Sequence, residues 1–118
     1  MTALSCRISG EVTMYKLTFF VPLNCKEEVK SAVFATGAGR IGDYEHCCFE
    51  TLGRGQFRAL DGAQPAIGAL NELTYVDEVK VELVVSDELI TDAVRALKKS
   101  HPYEEPAYDV FKCIDIEP

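Results

Sequence analysis

Hydrophobic residues recur along this chain with two different periods. From Tyr15 to Val21 they alternate: Tyr15, Leu17, Phe19 and Val21 fall on one side, and Lys16, Thr18 and Phe20 on the other. A period of two belongs to a pleated strand with one apolar face. Pro22 cannot donate to a sheet ladder and ends the run. Val29, Ala32, Val33 and Thr36 then return at helical spacing, which predicts a helix over 25–36. Asn24 stands in N-cap position with Glu27 three residues on, the pattern of a capping box. Gly37 suits the left-handed residue that closes such a helix.

The unit appears a second time. Val79, Val81, Leu83 and Val85 alternate within EVKVELVV, and Ser86 caps a helix whose apolar stripe is Leu89, Ile90, Ala93, Val94 and Leu97. Asp87 and Glu88 at its start and Lys98 and Lys99 at its end suit the helix dipole. Pro102 ends it, because the residue before a proline is pushed out of helical space. Each unit leads to one more strand: DYEHCCFETL, with Tyr44, His46 and Cys48 sharing a face, and AYDVFKCI. Between DYEHCCFETL and EVKVELVV, residues 53–71 hold Gly53, Gly55, Gly62, Pro65 and Gly68, which predicts a long connection with at most a short strand at Gln56–Arg58.

The order βαββαβ, with right-handed crossovers, specifies an α+β ferredoxin-like sandwich: a four-stranded antiparallel sheet with two helices on one face. Leu17, Phe19, Val81 and Leu83 lie beneath the helices. The other face carries Lys16, Thr18, Phe20, Lys80, Glu82 and Val84, and so mixed a face predicts self-association. Residues 1–14 have no clear period and read as a poorly anchored N-terminal extension, with residues 15–118 as a single domain.

The formal net charge of -7 and the lack of a basic stripe argue against nucleic acid and against anionic membranes as partners. No apolar run is long enough to cross a bilayer. The start lacks the pattern of a secretory signal, and Cys6, Cys25, Cys47, Cys48 and Cys113 are odd in number without CxxC spacing. Reduced thiols packed as small core residues, in a cytoplasmic protein, are the simplest reading.

Polar chemistry concentrates in HPYEEPAYDVF. Strand directions place its first half at the same sheet end as Asn24 and the glycine-rich segment with Gly53 and Gly55. His101 titrates near neutrality and has the chemistry of a general base, but no nucleophile or orienting partner is spaced for it, and a helix C-terminal histidine bonded to carbonyls explains it as well. Glu104 and Glu105 diverge in extended backbone, which suits a cation or an arginine better than two-carboxylate catalysis. Tyr103 and Tyr108 offer hydroxyls on flat apolar bodies, suited to ligand walls or to the core. Pro102 and Pro106 hold the segment rigid. GAGRIG precedes a strand and lacks both the GxGxxG pattern and a Walker lysine, so it is no nucleotide fingerprint. His46 with Cys47 or Cys48 lacks enough ligands for a metal site within one chain.

GAGRIGDYEHCCF, GRGQFRAL with GAQPAIG, and HPYEEPAYDVF resemble, in this order, the insert domain of the NGG-interacting-factor family, also labelled GTP cyclohydrolase type 2 homologues. The resemblance covers residues 15–113 and is to that CutA- or PII-like insert standing alone. It implies a ferredoxin-like fold, often trimeric. The family's dinuclear metal centre lies in a flanking domain without counterpart here, so no metal ligands and no cyclohydrolase activity carry over. HPYE followed by a proline is also similar to CutA, the divalent-cation tolerance family, whose copper ligands are not reproduced as a cluster.

The reading is a non-enzymatic binding or regulatory module, a homo-oligomer with a trimer favoured. Its clefts would be lined by His101, Pro102, Tyr103, Glu104, Glu105, Tyr108, Asn24, Gly53 and Gly55, and would take a small molecule or a protein partner. No catalytic residue, no metal ligand and no cofactor is assigned, and a divalent metal is the one cofactor left open. The alternatives are a CutA-like divalent-metal tolerance protein, or a small hydrolase or cyclohydrolase-like enzyme using His101 with Glu104 or Glu105.

Overall fold

The computed structural model describes residues 13–116. Strand β1 (Met14–Pro22) is followed by a 3-10 turn (Leu23–Cys25), helix α1 (Lys26–Phe34), strands β2 (Phe49–Arg58) and β3 (Leu73–Ser86), helix α2 (Ile90–Ser100) and strand β4 (Tyr108–Cys113). The sheet is antiparallel in the order β2-β3-β1-β4, the ferredoxin-like arrangement that the repeated strand–helix unit predicts.

Register shows how alternation becomes a core. Leu17 lies opposite Leu83, Phe19 opposite Val81 and Val21 opposite Val79. These residues are buried, together with Val29 and Val33 of α1 and Ala93 and Leu97 of α2, in one cluster. Removing this apolar surface from water is the main term holding helices to sheet. On the other face, β1 and β3 place Lys16 beside Val84 and Thr18 beside Glu82, and β4 brings Phe111 opposite Lys16. Phe111 and Phe49 are exposed there. Met14, at the start of β1, lies opposite Cys113, at the end of β4.

Three local expectations are corrected. The second strand does not run over DYEHCCFETL: it begins at Phe49. Residues 39–48 are a hook. Gly39 N–H donates to the Val84 carbonyl and Cys47 N–H to the Gly39 carbonyl, while Ile41 and Tyr44 exchange backbone hydrogen bonds. Gly39 has φ 81, and a side chain there would strike the Phe34 ring and the Cys47 carbonyl. His46, at φ 59, stacks on Phe34 with ring centroids 5.0 Å apart. The backbone bonds of Gly39, Ile41, Tyr44 and Cys47 are made within the hook and to Val84, so the apparent alternation of Tyr44, His46 and Cys48 is not a ladder.

The glycine-rich segment is not all loop. Residues 53–58 complete β2 opposite residues 73–78 of β3. Because β1 pairs with β3 only as far as Glu78, residues 73–77 pair with β2 alone, and a two-stranded arm extends past the helices. Only residues 59–72 form the connection.

The helix caps also differ. Asn24 sits inside the 3-10 turn, and α1 begins after Cys25 with no side-chain cap. Glu27 instead pairs with Lys26 and Lys30. Ser86 ends β3, and its carbonyl, not its hydroxyl, takes the Leu89 N–H that starts the α2 turn.

Candidate functional site

After α2 the chain turns extended at His101, as Pro102 requires, and crosses to the open side of the sheet. His101 is the pin of this crossing. Its Nε2 lies 2.7 Å from the Phe20 carbonyl, and Tyr103 N–H donates to its Nδ1 at 3.1 Å. A carbonyl only accepts and an amide N–H only donates, so the ring is neutral with the proton on Nε2. His101 is buried. That burial pushes its pKa below the ordinary 6.5, against the opposing pull of the Phe20 carbonyl and the Glu78 carboxylate. Both ring nitrogens are spent on backbone, and this geometry leaves none to accept a substrate proton.

Tyr103 extends the arrangement. Its ring packs against His101 with centroids 4.9 Å apart and near Phe57 at 6.1 Å. Its hydroxyl donates to Glu78 Oε2 at 2.8 Å. Burial, then the bond to Glu78, holds the phenol well above the usual tyrosine range. The other Glu78 oxygen lies over Gly55, where any side chain would displace the carboxylate. Glycine at this point of the arm lets the Glu78 carboxylate lie close against the backbone, and a larger residue would move that carboxylate. Glu104 reaches the connection beyond β2: its Oε1 accepts Gln64 N–H at 3.2 Å.

Between the joint and the arm lies a cleft of about 470 Å³, a size typical of small-molecule sites. Phe57, Ala59, Leu60, Ala63, Pro65, Ala66, Ile67, Tyr103 and Ala107 give it apolar walls. Glu78, Glu104, Glu105, Gln56 and Arg58 are its polar residues.

The residues singled out in the sequence divide between this cleft and other places. Tyr103, Glu104 and Glu105 line it, Gly55 makes room for its carboxylate, and His101 braces it from behind. Asn24 lines a neighbouring shallow depression with Pro22, Leu23, Ile67, Val76 and Asp77. Pro102 is exposed and makes the turn. Gly53 faces open space. Tyr108 points the other way: it packs against the core, with Lys98 Nζ 5.4 Å from its ring centroid. Glu78 escaped the sequence reading. Its one signal is its place on the open face of β3, opposite Gly53 and two pairs from Gly55.

Among the described residues, no three His, Cys, Asp or Glu side chains are grouped to hold a metal ion. His46 stacks on Phe34, away from any such cluster. Among the described residues, no helix is long and apolar enough to cross a membrane.

No family model matches the chain. Among curated proteins it is similar to the GTP cyclohydrolase 1 type 2 homolog of Bacillus subtilis, 46% identical over 96 residues, covering 81% of this chain and 26% of the relative. The Mycobacterium tuberculosis homolog of the same name is 42% identical over 107 residues, 91% of this chain and 28% of that protein. The chain thus spans about a quarter of the length of the curated relatives it matches. A Bacillus cereus protein related to NIF3 superposes with a TM-score of 0.75 at 36% identity over 88% of this chain and 26% of its own. Xylella fastidiosa CutA gives 0.62 at 13% identity, covering 89% of this chain and 86% of CutA. The B. subtilis GlnK–ATP complex gives 0.57 at 16% identity, covering 86% and 82% of the two chains. The last two share the fold alone. With the NIF3-related proteins the likeness extends to sequence: the chain is similar to one segment, about a quarter, of the GTP cyclohydrolase 1 type 2 homologues of the NIF3 family, and its fold is that of CutA and GlnK.

Proposed function

We propose that this chain is a non-enzymatic binding module, self-associated as a trimer, whose ligand sits in the cleft between the HPYEEP joint and the arm. The observation that carries it is the use of His101. The one histidine beside the cleft is consumed in bracing Phe20 and Tyr103, so the cleft has walls and polar anchors but no free imidazole. The rival hydrolase needs His101 to act with Glu104 or Glu105. In this geometry the ring faces the Phe20 carbonyl, and Glu104 accepts from Gln64. Self-association is supported by the open sheet face, where Phe49 and Phe111 stand exposed at the two edge strands. Large aromatic residues exposed on an open sheet face suit contact with a partner. No cofactor belongs to this reading.

Native mass spectrometry of the untagged protein tests it. A trimer with additional mass on each subunit is the expected result. A bare monomer overturns both the assembly and the cleft as a site in use.

A further inference from the structure

The cleft does more than accept an apolar shape. Its floor carries the Glu78 carboxylate and its rim carries Glu104 and Glu105, and among the described residues none of the three has a lysine or arginine within ion-pair distance. Elsewhere carboxylates have basic partners: Glu27 and Glu50 with Lys26 and Lys30, Asp92 with Arg95, and Glu82 with Lys16. The anchors present are the Tyr103 hydroxyl and the Gln64 N–H, each satisfying one oxygen of one carboxylate. Among the described residues, Arg58 is the only basic one lining the space.

This arrangement sorts ligands by charge. A neutral apolar molecule filling the space would strip water from carboxylates that have no counter-charge, which is costly. A polyphosphate would meet three negative groups and one positive. A bare metal ion would leave the walls unfilled and would lack a formed cluster of ligands. A cation on an apolar body satisfies both parts: the charge meets Glu78 and Glu104, and the body lies against Phe57, Leu60 and Tyr103.

We infer that the cleft binds a small organic cation, an ammonium group carried on an apolar or aromatic body. The inference rests on the cleft being a ligand site and names the class of ligand. In the bound state the ammonium lies near the free oxygen of Glu78, in front of the Tyr103 ring, and the rest of the molecule is held between Leu60 and Phe57.

The test is amide NMR of the full-length, isotope-labelled protein titrated with benzylammonium chloride, with benzyl alcohol as its neutral isostere, and with ATP. Benzylammonium is expected to shift Phe57, Leu60, Ala63 and Tyr103, and to bind more weakly as salt is raised. Its affinity is expected to fall roughly tenfold in Glu78→Gln, the loss of one charge-assisted contact. Glu104→Gln supplies an independent reading if the first variant does not fold, which the same spectra report. Benzyl alcohol is expected to bind at least about tenfold more weakly, and ATP is expected to leave these amides unmoved. Equal binding of benzyl alcohol, or no loss of affinity in the folded glutamine variants, overturns the charge selection while leaving the cleft as a site. ATP shifting these amides overturns it equally. If no probe moves them, the inference and the cleft as a ligand site fall together.

Discussion

His101 donates a ring hydrogen bond across the sheet end to the backbone carbonyl of Phe20, at 2.7 Å, and so ties the end of α2 to β1. The bond is doubled by strand pairing just beyond, where Phe20 N–H donates to the Ala107 carbonyl at 3.2 Å. One residue of β1 therefore holds both ends of the HPYEEP joint. Replacing His101 with alanine takes a partner from the half-buried Phe20 carbonyl and from the Tyr103 amide. We expect it to lower the unfolding free energy by about 2–3 kcal/mol, read from urea denaturation at pH 7.5.

The same histidine gives the fold a defined acid response. Its folded-state pKa lies below the ordinary 6.5, so the folded protein favours the neutral ring. The stability this contributes is complete above pH 6.5 and is lost as pH falls through the lowered value. The wild type should lose denaturation midpoint between pH 7 and pH 5, and the His101→Ala variant should lose much less. Equal slopes in the two proteins would contradict the assignment.

Glu50 acts in a lower window. It accepts hydrogen bonds from Lys30 and Lys26, the Lys26 contact being 3.0 Å, and these hold its carboxyl below its ordinary value of 4.5. A depressed acid stabilises above its unfolded pKa and ceases to do so as pH falls through the folded one. Glu50→Gln should therefore lower the thermal midpoint at pH 7 and have little effect near pH 3. Differential scanning calorimetry at the two pH values reads the difference.

Gly39 is the most demanding backbone position of the hook. Its φ of 81 and the nearness of the Phe34 ring and the Cys47 carbonyl leave no room for a methyl group. Gly39→Ala should destabilise by about 1–3 kcal/mol, with the loss of the Phe34–His46 stacking visible in the histidine ring NMR signals. Gly42 also has positive φ, but its surroundings are open, so Gly42→Ala should bear only the conformational part.

Phe111 tests the open face. It is exposed on edge strand β4 opposite Lys16, with Val84 on the far side of Lys16. On the proposed trimer, Phe111→Asp should leave the unfolding midpoint at low protein concentration near that of the dissociated wild type, and should shift sedimentation velocity from trimer to monomer. An unchanged trimer would place the interface elsewhere.

The repeated strand–helix unit was legible because its signal is redundant. Leu17, Phe19, Val81 and Leu83 each follow the strand period, and Val29, Val33, Ala93 and Leu97 the helical one. The extent of β2 was not legible. Gly53 and Gly55 weaken a strand locally, and what keeps them in it is pairing with Glu78 and Val76. The false strand over Tyr44, His46 and Cys48 failed for the converse reason. Its alternation is real, but the hydrogen bonds of Gly39, Ile41 and Cys47 are spent within the hook and on Val84. In the candidate site, the HPYEEP composition singled out residues that the structure gathers at one cleft, whereas Glu78 was one acidic residue among several on strand three. Only the approach of Tyr103 sets it apart.

Met14 and Cys113 face each other across neighbouring strands. Paired antiparallel residues are roughly 5 Å apart, so the polypeptide enters and leaves this fold through what is nearly one doorway. A pull applied to both ends would unzip β1 from β4 one pair at a time, instead of shearing all the pairs at once. A longer chain carrying this unit could open a gap the width of a single strand spacing and keep its own packing on either side. Domain and carrier would then fold as separate cooperative bodies joined at a narrow neck.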